Sequence, residues 1–282
     1  MRIRPLQPED VLAAREPADA ALGPPPSLDP AAAETYWAVR FERLVGTDPG
    51  GCWGAEDDDG RIVGTALALV RDGVWALAFL AVHPDVQAQG IGRRLLDATL
   101  EHAEGARAAL IASSTDPKAM RRYARAGFDL RPCVAAGGTL DRSALPAGLR
   151  SRQTDDLSVA ETLGREVRGG AYDPDDFGLY LQSGWIGLRC GDDGFALAND
   201  GRVSILVARD EATATDLLWS ALATARNGGN GGNGDADFIT AGQDWAIQTV
   251  LEAGLALSPD GPIFTRGEVG PLRPWIPAGS FL

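Results

Sequence analysis

At 282 residues, 45% hydrophobic and 23% charged, the chain is long enough for one large or two ordinary globular domains. A net charge of −13 sets it against general nucleic-acid binding, which depends on neutralising phosphates. No apolar run approaches the roughly 18 residues of a membrane span, and Met1-Arg2-Ile3-Arg4-Pro5 lacks a signal-peptide core.

The opening residues 2–6 read as a strand, followed by a helix entered at Pro8-Glu9-Asp10. Gly23-Pro24-Pro25-Pro26-Ser27 ends that helix, and Asp29-Pro30 starts another by the N-cap and first-turn proline rule. Tyr36, Trp37, Val39, Phe41 and Leu44 give the second helix a buried side. Residues 52–55 and 62–70 read as strands, joined through the acidic turn Glu56-Asp57-Asp58-Asp59-Gly60. The apolar run 74–82 is a further strand, stopped at His83-Pro84, and residues 95–100 carry large apolar side chains at helical spacing. A short buried strand follows at 108–112, then a helix opened by Asp116-Pro117 and closed at Gly127, with extended chain from Phe128.

Residues 141–148 form a Pro- and Gly-punctuated connector and place a domain boundary, dividing the chain into 1–142 and 149–282. The second part predicts a helix over 157–167, strands near 185–188, 195–198 and 203–208, and a helix over 212–225. The tract Asn227-Gly228-Gly229-Asn230-Gly231-Gly232-Asn233-Gly234 reads as a mobile loop. The last twelve residues, with Trp275 and Phe281 among three prolines, read as a docked tail.

Much of the common catalytic repertoire is missing. Lys118, the one lysine, follows Pro117, so no Gly-Lys-Ser/Thr phosphate loop exists. His83 and His102 are the only histidines, so no metal centre is expected, and no Gly-x-Ser-x-Gly elbow occurs. Cys52, Cys133 and Cys190 lack metal-like spacing and suit free thiols in a reducing cytoplasm. Residues 1–140 carry a net −4 and residues 141–282 a net −9. The acidic second part would attract a cationic amine, although solubility alone also accounts for it.

One segment carries positive information: Gln87-Ala88-Gln89-Gly90-Ile91-Gly92-Arg93-Arg94, between strand and helix. Glycines there let a ligand approach the backbone, and unpaired N–H groups of the first helical turn attract a phosphate chain. A dinucleotide-binding fingerprint fails, because Leu95 stands where the third glycine is needed and the loop from Val82 to Gly90 is too long.

Gln87-x-x-Gly90-x-Gly92 after the strand, with Ala119, Tyr123, Gly127 and Phe128 at their spacing after Asp116, resembles the GNAT superfamily of acyl-CoA-dependent N-acyltransferases. The resemblance implies an α/β fold with a mixed sheet and acetyl-CoA as acyl donor to a small-molecule or peptide amine. No nucleic acid or membrane partner is implied, and the chain is expected as a monomer or homodimer. It further implies that backbone groups of Leu80, Ala81 and Val82 pair with the pantetheine arm and that residues 87–93 wrap the pyrophosphate, with charge from Arg93 and Arg94. Asp116 stands where many relatives carry Asn against the cofactor arm. Tyr123 matches the general acid that protonates the departing thiolate, and its competing role is helix packing. Some relatives place a basic Glu where this chain has Ile111. The base is then a water chain, a carboxylate from elsewhere, or the Leu282 terminus.

The second part repeats the first in weakened form. Leu95-Leu96-x-x-x-Leu100 returns as Leu217-Leu218-x-x-x-Leu222, so that Ala212 and Ala214 replace Gly90 and Gly92. Ala119 and Gly127-Phe128-x-Leu130 return as Ala246 and Gly254-Leu255-x-Leu257, with Val250 at the tyrosine position. The pattern resembles tandem GNAT proteins such as the mycothiol synthases. It implies an active N-terminal unit and a degenerate C-terminal one that shapes the substrate site. A non-catalytic acyl-CoA-binding or partner-binding protein is the alternative, favoured by Ile111.

Overall fold

The computed structural model describes residues 1–22, 30–226 and 232–280. They gather into two compact units, Met1–Ala109 and Leu110–Phe281. The predicted helix stop at 23–27, the cap Asp29, residues 227–231 of the glycine tract, and Phe281 and Leu282 lie outside the described residues.

The first unit is an antiparallel sheet with helices on it. β1 (Arg2–Pro5) precedes α1 (Val11–Leu22) and α2 (Pro30–Thr47), and β2 (Cys52–Glu56), β3 (Ile62–Arg71) and β4 (Val74–Val82) follow in spatial order β1-β2-β3-β4. Each strand is joined to the next by antiparallel pairing, as in Arg2↔Glu56, Cys52↔Leu67 and Gly64↔Val82. Eight consecutive residues of β3, from Ile62 to Leu69, are buried, so the strand is covered on both faces rather than alternating. The helices supply that cover: the Thr65 hydroxyl donates to Ala14 O of α1 at 2.8 Å, and the Trp37 indole of α2 donates to Val11 O at 2.9 Å.

Asp48 ties the end of α2 to the sheet. Its carboxylate, 3% exposed, accepts from Val70 N–H (2.9 Å), Arg71 (2.8 Å) and the Thr47 hydroxyl (2.6 Å), and lies 3.2 Å from His102 Nε2. Burial alone would raise its pKa; the hydrogen bonds from His102, Thr47, Val70 and Arg71 together outweigh it and hold the group down to about 2.

α3 (Ile91–Glu101) returns over the sheet, with Ile91 and Leu95 in a core shared with Ala55, Val63 and Ala66. Gly64 makes that approach feasible, because a Cβ there would lie 3.0 Å from Leu95 and 3.3 Å from Ile91.

The second unit holds the ends of both sequence repeats. β5 (Ala108–Ala112), α4 (Pro117–Arg125) and β6 (Asp129–Thr139) come from the first. β7 (Arg152–Gln153), α5 (Val159–Leu163), α6 (Pro174–Gln182), β8 (Ile186–Cys190), β9 (Gly194–Asn199) and β10 (Arg202–Ala208) follow. The chain closes with α7 (Glu211–Ala223), β11 (Asn233–Thr240), α8 (Asp244–Glu252), β12 (Ala256–Gly267) and β13 (Trp275–Ile276). The strand order is β5-β12-β6-β11-β10-β9-β8-β7, with β13 on β10.

The two longest strands, β6 and β12, run antiparallel at the centre, from Ala256↔Gly137 to Thr265↔Asp129. β12 is thereby inserted between β5 and β6, and β6 between β12 and β11: each repeat fills its sheet with the last strand of the other. The compact units therefore do not coincide with the sequence repeats. Pro262 is tolerated within β12 because it falls where the register shifts between Asp260 and Ile263.

Two local expectations change. The helix expected over 157–167 is α-helical only to Leu163 and widens into a π turn over Gly164–Arg168. The Gly169 N–H reaches back to Gly164 O at 3.0 Å, and the chain packs so tightly on Gly164 that a Cβ would meet Gly170 O at 2.7 Å. Asn233 and Gly234, expected in a mobile loop, open β11 opposite Thr139 and Gly138. Gly234 lets Leu222 and Leu255 close over the strand, since a Cβ there would lie 2.9 Å from a Leu222 methyl and push it aside. Among the described residues no helix is long and apolar enough to cross a membrane.

Asp48→Asn removes the buried carboxylate charge that faces Arg71 and is expected to cost about 3 kcal/mol at neutral pH. Because the folded pKa lies below the ordinary 3.8, the wild-type advantage is full above that value and fades as the pH falls through about 2. Urea unfolding of both proteins across that range measures the narrowing gap.

Candidate functional site

The loop that singled itself out in the sequence is a short, exposed connection from β4 to α3. After His83, whose ring accepts the Asp85 N–H at 3.3 Å, Pro84–Val86 forms a single 3-10 turn. Gln87 then folds back, its side-chain amide donating to Val82 O at 3.0 Å. Ala88 and Gly90 both take left-handed backbone, at φ 64° and 81°. Gly90 caps α3 with no side-chain hydrogen bond, and the first N–H groups of that helix bonded to the chain are those of Arg93 and Arg94, both to Gly90 O at 3.1 Å. Among the described residues the N–H groups of Gly90, Ile91 and Gly92 have no acceptor. Bare amides at a helix N-terminus, with exposed Arg93 and Arg94 beside them, form an anion-binding end. Arg93 shares its charge with Asp97, 3.5 Å away.

Leu80, Ala81 and Val82 lie on β4 directly before this loop, with Leu80 and Val82 packed against the core that anchors Ile91 and Leu95. A bulge precedes them: β3 and β4 slip register between Leu67↔Phe79 and Ala68↔Leu77, leaving Ala78 as the extra residue. Arg40 of α2 donates to the Ala78 carbonyl at 2.7 Å. The uninterrupted apolar run 74–82 carries no sign of this bulge, so it was not legible in the sequence.

Tyr123 and Asp116 belong to the second unit. Asp116 caps α4, its carboxylate accepting Lys118 N–H at 2.9 Å. The Tyr123 ring is buried edge-on against Phe264, centroids 5.4 Å apart, and its hydroxyl has no hydrogen-bond partner among the described residues. Burial pushes its pKa up to about 12, with Arg122 opposing and Asp116 adding to the rise. The phenol is therefore held protonated at neutral pH, as a proton donor must be. Ile111 is fully buried in β5 and supplies no base.

The corresponding places in the second repeat are occupied by the chain itself. α7 begins at Asp210, whose carboxylate accepts the Thr213 N–H at 2.8 Å and its hydroxyl at 3.0 Å. A fixed negative charge thus sits at the helix N-terminus where α3 is bare. β10 corresponds to β4 through Val207 and Val82. Along it runs β13, with Leu206↔Ile276 and Val207↔Trp275, taking the strand edge equivalent to Ala81 and Val82. Trp275 is fully buried, its indole donating to the Tyr172 hydroxyl at 2.9 Å, and Arg273 pairs with Glu211 at 2.6 Å. Val250, at the tyrosine position, is fully buried in α8.

Residues 18–128 match the acetyltransferase (GNAT) family model. Over 115 residues the chain is 36% identical to a mycothiol acetyltransferase of Clavibacter michiganensis subsp. michiganensis (strain NCPPB 382). That match covers 38% of this chain and 37% of the relative, so the chain spans little more than a third of the protein it matches. A Pyrococcus horikoshii protein provisionally called an acetyltransferase superposes with a TM-score of 0.79 at 15% identity, over 100% of this chain and 95% of that one. A tandem GNAT protein from the clavulanic acid biosynthesis pathway gives 0.58 at 18% identity, over 94% and 98%. The GNAT match is thus carried by residues 18–128, and the chain as a whole shares its fold with a tandem GNAT protein.

Removing the cap, Asp210→Ala, is expected to lower the unfolding free energy by about 1 kcal/mol, with Asp210→Ser closer to wild type. Urea denaturation of the three proteins gives the order directly.

Proposed function

We propose that the protein is an N-acetyltransferase in which the first repeat, 1–142, receives acetyl-CoA and passes its acetyl group to a primary amine. The observation that carries the reading is the bare N-terminus of α3 behind Gly90, directly after residues 80–82 of β4. A pyrophosphate on those amides leaves the pantetheine arm running back along β4, with the thioester beyond Leu80. The amine nitrogen attacks the thioester carbonyl carbon, and a backbone N–H of this strand receives the developing oxyanion. The new C–N bond forms, the C–S bond breaks, and Tyr123 donates a proton to the departing sulfur. The nitrogen loses its proton through water, since Ile111 cannot accept one. Asp116 caps the helix that carries Tyr123.

The second repeat, 149–282, is read as a degenerate copy. Asp210 repels a phosphate from the N-terminus of α7, and β13 occupies the edge a pantetheine arm would use. Its role is structural and in shaping the amine site, with a small-molecule or peptide amine as the acceptor.

The alternative is a non-catalytic acyl-CoA-binding protein, favoured by the buried Ile111 at a position that holds a base in some relatives. Thiol release from acetyl-CoA across an amine panel decides between them: turnover supports the transferase, whereas tight binding without turnover supports the binder. Tyr123→Phe is expected to lower kcat about 100-fold with a small change in acetyl-CoA affinity. Full activity in that variant would remove the acid role. Calorimetric titration is expected to give one acetyl-CoA per chain, and two would overturn the degenerate reading of the second repeat.

A further inference from the structure

Several arginines of the first unit are paired with carboxylates. Arg4 lies against Asp10 and Glu56, Arg15 against Asp19, Arg61 against Glu16, and Arg71 against Asp48. Arg40 differs. It has no carboxylate partner among the described residues, in a chain with 13 more acidic than basic groups. Its Nη2 donates to Ala78 O at 2.7 Å, while its Nε is buried and has no hydrogen-bond partner. Unsatisfied buried donors are rare in folded proteins; the Nε is closed in by packing, and on this half-buried guanidinium it is Nη1, without a hydrogen bond among the described residues, that is left to meet an incoming acceptor. Its surroundings are aromatic: Trp37, one helical turn before it on α2, meets Phe79 of β4 edge-on, with centroids 5.2 Å apart.

The position matters as much as the vacancy. If the phosphates sit at residues 87–93 and the arm runs back along Val82, Ala81 and Leu80, the acyl end emerges toward Phe79 and Ala78. Ala78 is two residues from Leu80, about 7 Å along the strand, and a short amino acid bridges that distance because its nitrogen stands about 3 Å from the thioester carbon and its carboxylate about 2.8 Å from the guanidinium. We infer that Arg40 receives a carboxylate of the acceptor, so that the amine acetylated belongs to an amino carboxylate rather than to a simple alkylamine or polyamine. The planar fork of the guanidinium suits this anion, and the bond to Ala78 O holds the fork in place. The inference rests on the transferase reading above and names its substrate class.

The test compares matched amines, glycine against glycinamide and β-alanine against β-alaninamide, by thiol release from acetyl-CoA with wild type, Arg40→Gln and Arg40→Lys. In the wild type kcat/KM is expected to favour each carboxylate over its amide by about tenfold or more, mainly through KM. Arg40→Gln brings that ratio close to one, and Arg40→Lys, which keeps the charge and a donor for Ala78 O, restores part of it. A wild-type ratio near one, or an equal ratio in wild type and Arg40→Gln, overturns the inference while leaving the transferase standing. If no amine turns over, the transferase reading fails by itself. Calorimetric binding of glycine and β-alanine to the CoA-loaded protein then decides: loss in Arg40→Gln supports the carboxylate site, and no binding, or equal binding, removes it.

Discussion

The pairing of β6 with β12 is the constraint on which the molecule depends. Each is the last long strand of its own repeat, and each presents two edges that must be satisfied by hydrogen bonds. The solution is reciprocal: β12 covers one edge of β6, β11 covers the other, and β6 separates β12 from β11. The register shifts at Asp260 and between Ala236 and Ile239 lie on either side of β6. They are joined by one side chain, because the Asp260 carboxylate accepts the N–H of Phe238, a residue at φ 56°. The bulges of the two neighbouring strands are thus linked to one another.

Against this shared centre the two repeats treat the same strand–loop–helix differently. In the first, glycine leaves the helix amides bare directly after the strand. In the second, an aspartate fills the helix end and a tail strand fills the edge. A helix N-terminus and a strand edge are both unsatisfied hydrogen-bonding surfaces. The second repeat satisfies both from within the chain, whereas in the first the helix end stays bare. The proposed direct attack on a thioester needs few specialised side chains, which fits a chain with two histidines and one lysine.

The parts legible in the sequence were those set by local rules. β4 and β5 fall at the apolar runs that announce them, and α4 starts and stops at Asp116-Pro117 and Gly127. α6 was missed although Asp173-Pro174 carries the same start signal, with the Asp173 carboxylate accepting Asp175 N–H. What local pattern could not show was decided at a distance. The bulge at Ala78 depends on register with β3, and Arg40 meets it only because α2 crosses that strand. Asn233 and Gly234 looked like linker, yet pairing with β6 makes them strand. The two residues of β13 are too few to register as a strand in any window, though the docking of that tail was readable from Trp275.

The exchange of final strands bears on how such a duplication ages. Under the proposed reading, glycines, a phenol and a phosphate loop can be lost from the second copy one substitution at a time, because no strand of the first copy rests on them. Its last strand is under a different rule. β12 is structural tissue of the first copy as well, so a deletion that shortened it would strip a neighbour from β5 and β6 together. Drift can silence the duplicate, but it cannot discard it.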